Sequence, residues 1–86
     1  GSGKLALIIT SNGKATAEAI NLIVRRGATL LPAYGAYSGQ QRELLMCVCS
    51  KSEIYKVKSA AQRVDPQAFM MITEASEIYG NGFKTS

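Results

Sequence analysis

Apolar residues along this chain fall into two kinds of run, and the alternation between them predicts the elements. Leu5-Ala6-Leu7-Ile8-Ile9-Thr10 is short and unbroken, as in a buried strand, and stops at the turn residues Ser11-Asn12-Gly13. Over 15–26 the spacing becomes helical. Ala19, Ile20, Ile23 and Val24 share one face, Glu18 sits in the early turns, Arg25 and Arg26 in the last, and Gly27 follows as a C-cap. Two further apolar runs, 28–34 and 42–50, flank the turn Gly35-Ala36-Tyr37-Ser38-Gly39-Gln40-Gln41 and predict a hairpin with a long tip. Pro32 has no N–H to give a ladder, so the first of these strands belongs at a sheet edge. Ser50-Lys51-Ser52-Glu53 has the form of a capping box; Ile54, Val57, Ala61 and Val64 then line one face of a second helix that Asp65-Pro66 closes. Residues 68–73 supply a fourth strand.

The order βαββαβ has one compact right-handed solution: an α+β, ferredoxin-like fold with a four-stranded antiparallel sheet, strand order 4-1-3-2, and both helices on one face. Two helices cover only one side, so the other side of a monomer's sheet should turn polar. The pattern refuses that. Leu5 and Leu7 oppose Ala6 and Ile8; Leu44, Met46 and Val48 oppose Leu45, Cys47 and Cys49; Phe69 and Met71 oppose Met70 and Ile72. An apolar face of several hundred Å² is unusual on a soluble monomer, and its burial is worth roughly 25 cal/mol per Å² before association costs. A homo-oligomer packed sheet against sheet is therefore expected.

Composition narrows the classes. The 86 residues suffice for one domain with a small core. Gly1-Ser2-Gly3 reads as a vector-derived scar, leaving 4–86 as a single ferredoxin-like domain. With 47% hydrophobic and 19% charged residues the chain is ordered, and no apolar run approaches the roughly 20 residues that span a bilayer. Ten basic and six acidic residues give a net charge of +4, dispersed except at Arg25-Arg26, which describes a mildly basic solvated surface. Cys47 and Cys49 stand two apart on the same strand face, a poor geometry for a mutual disulfide. With no His and no other Cys, no metal site or cofactor is expected, and the thiols suit a reducing, cytosolic setting.

Candidate chemistry gathers at turns. Two tyrosines and two glycines in and beside the hairpin tip suggest a recognition loop, and a second segment of the same character, Tyr79-Gly80-Asn81-Gly82-Phe83, ends the chain. The topology puts the hairpin tip, the start of the first helix and the Asp65-Pro66 connection at one end of the sheet. There Asn12, Gly13 and Lys14 form an expected anion site at helix amides, with stacking and hydrogen bonds from Tyr37, Ser38 and Arg42. The expected ligand-binding set is Gly35, Tyr37, Ser38, Gly39, Arg42, Gly80, Gly82 and Phe83, the last three supplied by a neighbouring subunit, with a nucleotide or similar anion as ligand.

Catalysis is not expected. Without His, Ser38 has no base among Gln40, Gln41 and Arg42, and Glu74 and Glu77 read as a solvated pair. Phosphate hydrolysis on this fold wants an arginine where only Lys14 stands. RNA binding wants exposed aromatics on the central strands, which carry Leu, Ile, Met and Cys instead.

Gly35-Ala36-Tyr37-Ser38-Gly39 with Arg42, then Asp65-Pro66-Gln67-Ala68-Phe69, then Glu77-Ile78-Tyr79-Gly80-Asn81-Gly82-Phe83 resemble, in this order, the small C-terminal domain of unknown function of YitT-type bacterial membrane proteins. Gln40-Gln41 departs from relatives that often carry charge there. The resemblance implies an upstream multi-spanning membrane portion, with this domain on the cytoplasmic face of the bacterial membrane. The fold is also similar to PII-like signalling proteins, trimers that bind nucleotides between subunits, and by that analogy a trimer is favoured. Two functions follow from the resemblance: a cytoplasmic regulatory or ligand-sensing domain, or a purely structural oligomerisation module with no small-molecule ligand.

Overall fold

The computed structural model describes residues 3–80 and contains β1 (Gly3–Thr10), α1 (Gly13–Val24), β2 (Thr29–Tyr34), β3 (Gln41–Ser50), a single 3-10 turn (Lys51–Glu53), α2 (Ile54–Val64) and β4 (Phe69–Ala75). All strand pairs are antiparallel, in the order β2-β3-β1-β4. This is the ferredoxin-like arrangement expected. Pro32 does lie on an edge strand, opposite Glu43.

Side-chain parity assigns the two faces. Ala6 and Ile8 of β1 and Leu45, Cys47 and Cys49 of β3 point toward the helices and form the core with Ile20 of α1 and Val57, Ala60 and Ala61 of α2. Each of these is essentially inaccessible. The small Ala60 and Ala61 let α2 lie close, and Met70 of β4 fills in at the flank. Burial pushes the Cys47 thiol up to about 11, aided by neighbouring Cys49 and Glu53, and burial likewise raises Cys49. Both thiols are free.

Helix boundaries differ from the expected 15–26 at both ends. The start moves to Gly13 because β3 reaches across: Glu43 Oε1 accepts the Gly13 N–H at 2.8 Å, while Asn12 O accepts from the Thr16 N–H and hydroxyl. At the other end Arg25, not Gly27, takes the left-handed conformation with φ 56, its N–H bonded to Asn21 O. Tertiary contact decides this. Arg26 is drawn to Glu53 on the second helical segment at 3.0 Å, so the chain must leave α1 before it. The capping box works as read: Glu53 Oε1 accepts the Ser50 N–H at 2.8 Å. Burial of Glu53 alone would raise its pKa, but the Ser50 N–H and Arg26 outweigh it and hold the carboxyl below its ordinary value.

Candidate functional site at the loop-bearing end of the sheet

β1 ends, α1 begins, β2 turns into β3 and α2 passes to β4 at one end of the sheet, since Thr10 pairs Glu43, Tyr34 pairs Gln41 and Ile9 pairs Phe69. Asp65 organises this end. The residue is 8% exposed, and its carboxylate accepts the Thr10 hydroxyl at 2.6 Å, the Ser11 N–H at 3.2 Å and the Gln67 N–H at 2.9 Å. These donors, the Thr10 hydroxyl foremost, hold the carboxyl below its usual range, with a smaller contribution from the Arg42 charge. Two segments far apart in sequence, the end of β1 and the connection from α2 to β4, are thereby fastened at one point.

The hairpin tip is shaped by its own backbone. The Gly35 N–H donates to Gln40 O at 3.0 Å and the Gly39 N–H to Gly35 O at 2.9 Å. Gly39 has φ 68, in the region that favours glycine. Over Gly35 the Ser38 hydroxyl lies so close that a Cβ there would stand 2.4 Å from Oγ. That hydroxyl also accepts the Gln40 N–H, and the Gln40 side-chain oxygen accepts from the Arg42 guanidinium at 2.9 Å. Arg42 is thus steered by the tip.

An open cleft of about 430 Å³ results, lined by Ile9, Ser11, Gly35, Ser38, Gln40, Arg42, Asp65, Gln67 and Phe69. Its apolar wall, Ile9 with its partner Phe69, belongs to the sheet face that the helices leave uncovered, and Arg42 projects on the same side by parity with Leu44. Phe69 is 59% exposed. The cleft therefore opens at the corner where the loop end meets the bare face. A neighbouring cleft of about 380 Å³ on the β2 side also reaches Arg42, with Leu31, Pro32 and Glu43 in its lining. We place the candidate site in the first, because the tip and the Asp65 connection converge only there.

Of the residues expected from sequence, the structure brings Gly35, Ser38 and Arg42 into this lining. Tyr37 lies outside it, fully exposed at 104%, and Gly39 supports the turn without lining the cleft. Gly80 follows β4, which ends beside Gly3 at the opposite end of the sheet, so one chain does not join it to the tip. Gly82 and Phe83 lie outside the described residues. The expected anion site at Asn12, Gly13 and Lys14 is corrected. Glu43 already occupies the Gly13 N–H and Asp65 the Ser11 N–H, and the Asn12 N–H turns to the Thr10 hydroxyl, so the protein supplies its own anions there. Asp65, Gln67 and Phe69 are not among the expected ligand-binding residues; their signals are the Asp65-Pro66 helix stop and the 65–69 stretch of the family resemblance, neither of which marks a carboxylate gathering donors from β1. Among the described residues no cluster of metal-ligating side chains occurs, and no helix is long and apolar enough to cross a membrane.

A family described as "Uncharacterized protein conserved in bacteria (DUF2179)" matches residues 26–80. The chain is 43% identical to "Uncharacterized protein in cccA 5'region" of Bacillus sp. (strain PS3), across 98% of its own length and 56% of that protein's. It is 41% identical to "UPF0750 membrane protein YvjA" and 35% identical to "UPF0750 membrane protein YitT", both of Bacillus subtilis (strain 168), covering 94% and 87% of this chain but 29% and 27% of theirs. It thus spans between about a quarter and about a half of the length of these relatives. Among solved structures, a DUF2179 protein from Eubacterium ventriosum superposes with a TM-score of 0.69 at 32% identity, over 85% of this chain and all of that one. A putative PII-like signaling protein from Thermus thermophilus superposes at 0.67 with 21% identity, covering 87% of this chain and 89% of that one. CPII, a nitrogen regulatory PII-like protein from Thiomonas intermedia K12, bound to ADP, AMP and bicarbonate, does so at 0.53 with 14% identity, covering 91% and 96%. The last two likenesses are of fold.

Proposed function

This chain belongs to the DUF2179 family, and on that footing we propose that it is a cytoplasmic regulatory or ligand-sensing domain of a multi-spanning bacterial membrane protein, self-associating through its bare sheet face. The observation that carries this reading is the place of the cleft. Because Ile9 and Phe69 are both cleft wall and bare face, a second copy packed on that face would close the cleft from the side and turn an open corner into an enclosed pocket. Gly80, together with Gly82 and Phe83, is assigned in this proposal to a neighbouring copy, because within one chain Gly80 follows a strand that ends at the opposite end of the sheet from the tip.

The chemistry of the lining favours a small ligand with a flat ring and one anionic group. Phe69 and Ile9 offer a surface for the ring, Arg42 a guanidinium for the anion, and Ser38 and Gln67 hydrogen bonds. PII-like proteins of the same fold support a nucleotide as the first candidate, since one of them is known with ADP and AMP bound. The Ser11 hydroxyl does meet the Asp65 carboxylate in the lining, at 3.5 Å, but that carboxylate is already engaged by the Thr10 hydroxyl and the Ser11 and Gln67 N–H groups, which supports a domain that acts by binding. The occupied α1 N-terminus favours the second reading, an oligomerisation module with no small ligand, because the amides most suited to a phosphate are already spent on Glu43 and Asp65.

Thermal melts of the chain against adenine and guanine nucleotides, cyclic dinucleotides and simple anions separate the two, with solution mass measured first. A ligand at 100 times its Kd adds about 2.7 kcal/mol, several degrees for a domain of this size. The expected outcome is an oligomer whose melt shifts with one ligand class and loses the shift in Arg42→Ala. A well-folded oligomer with a flat panel selects the structural module, and a monomer overturns both.

A further inference from the structure

Charge is distributed unevenly along the helix layer. α1 and α2 run antiparallel, so the last turn of α1 and the start of α2 share the end of the sheet opposite the loops, where the Arg26–Glu53 bridge joins them. Arg25, Lys51 and Lys56 are exposed there. Leu22 and Tyr55 project from the same two turns at 72% and 75% exposure, an aliphatic and an aromatic side chain on the turns that carry these cations. Three acids near this end are engaged, Glu53 turned inward to Ser50 and Arg26, Glu74 paired with Lys4 and Glu77 accepting the Tyr79 hydroxyl beyond β4, while Glu18, one turn before Leu22, is exposed and lines a shallow cleft with Leu22 and Arg26. Gly3, where the described part of β1 begins, lies at this end too.

We propose that this end of the helix layer docks on an anionic lipid bilayer, with Leu22 and Tyr55 entering the headgroup region and Arg25, Lys51 and Lys56 facing lipid phosphates. Charge complementarity selects the occupant together with the two projecting side chains. A polyphosphate chain rewards cations alone, whereas a bilayer interface also rewards an exposed leucine and a tyrosine whose hydroxyl stays wet. The proposal deepens the membrane association of the preceding reading and is separable from it, because it concerns free chain and vesicles and does not involve the cleft. It also orients the domain, with the cleft on the side away from the lipid.

Co-sedimentation of the chain with vesicles of phosphatidylcholine containing phosphatidylglycerol, against phosphatidylcholine alone, tests it. The expected result is partition into the anionic vesicles only, weakening as salt rises. Each cation near an anionic surface contributes about fivefold, so Lys51→Gln with Lys56→Gln should lower partition roughly 25-fold. Lys14→Gln with Arg63→Gln removes the same charge from the loop-bearing end of the helices and should leave partition nearly unchanged. Leu22→Ser should weaken the binding that survives at high salt. Both variant pairs change exposed side chains, and circular dichroism checks that they fold. Equal losses from the two pairs would reduce the effect to net charge and overturn the proposal. So would indifference to phosphatidylglycerol, displacement by soluble glycerophosphate, or tighter binding to duplex DNA than to vesicles.

Discussion

The two faces of the sheet are built from the same kinds of residue and live in opposite conditions. Toward the helices Ile8, Leu45, Cys47 and Cys49 are sealed by Ile20, Val57, Ala60 and Ala61. On the reverse Leu7, Leu44, Met46 and Met71 are no less apolar, yet no element of the described chain crosses them. Hydrophobicity along a strand therefore reports that a face is to be covered and leaves the source of the cover open. Here one cover is intramolecular, and the other is the proposed second copy.

That contrast can be tested in steps of decreasing size. Leu45→Ala, on the sealed face, should cost about 3 kcal/mol in chemical denaturation, since the cavity is closed on all sides. Asp65→Asn, which loosens the link from Thr10 and Ser11 to the α2–β4 connection, should cost about 1–3 kcal/mol at neutral pH. The sign of its pH dependence is fixed by the lowered carboxyl. Its contribution is fully present above the ordinary carboxylate range and is lost as pH falls through the lower value of the folded state, so acid should shrink the gap between the two proteins. An unchanged gap at low pH would mean that Asp65 is not held as an anion. Arg25→Gly removes a left-handed non-glycine residue and should raise stability by about 1 kcal/mol, read as a higher melting temperature. Met71→Gln, on the bare face, should alter the stability of an isolated chain by less than about 0.5 kcal/mol, while sedimentation shows the loss of the oligomer. If Met71→Gln instead unfolds the chain, the second cover is as essential to folding as the first.

The fold is legible in the sequence because its signals are local or periodic. Pro32 marks the edge, Glu53 closes its own capping box within three residues, and the switch from unbroken runs to helical spacing separates strands from helices. What escapes are residues whose roles are set across the fold. Gly27 looks like the cap of α1, but the Arg26–Glu53 contact across 27 positions moves the helix end to Arg25. Glycine and tyrosine at 35–39 draw attention to the tip, and part of it does line the cleft. Tyr37 nevertheless points to solvent, and Asp65 supplies the organising charge. A carboxylate that collects donors from another strand has the same local spelling as one that ends a helix.

The bond from Glu43 to the Gly13 N–H has a consequence for the order of assembly. Local sequence gives α1 a weak beginning, since Asn12 makes no side-chain cap and the first turn holds no acid. Its first turn is completed by a strand 30 positions downstream, and a side chain on Gly13 would collide with that same carboxylate. Folding should therefore set the β2–β3 hairpin against β1 before the start of α1 becomes fixed, which places long-range contacts early and makes the chain slow for its size. Hydrogen exchange should report this directly, with the Gly13 amide opening together with β3 rather than with the rest of its own helix.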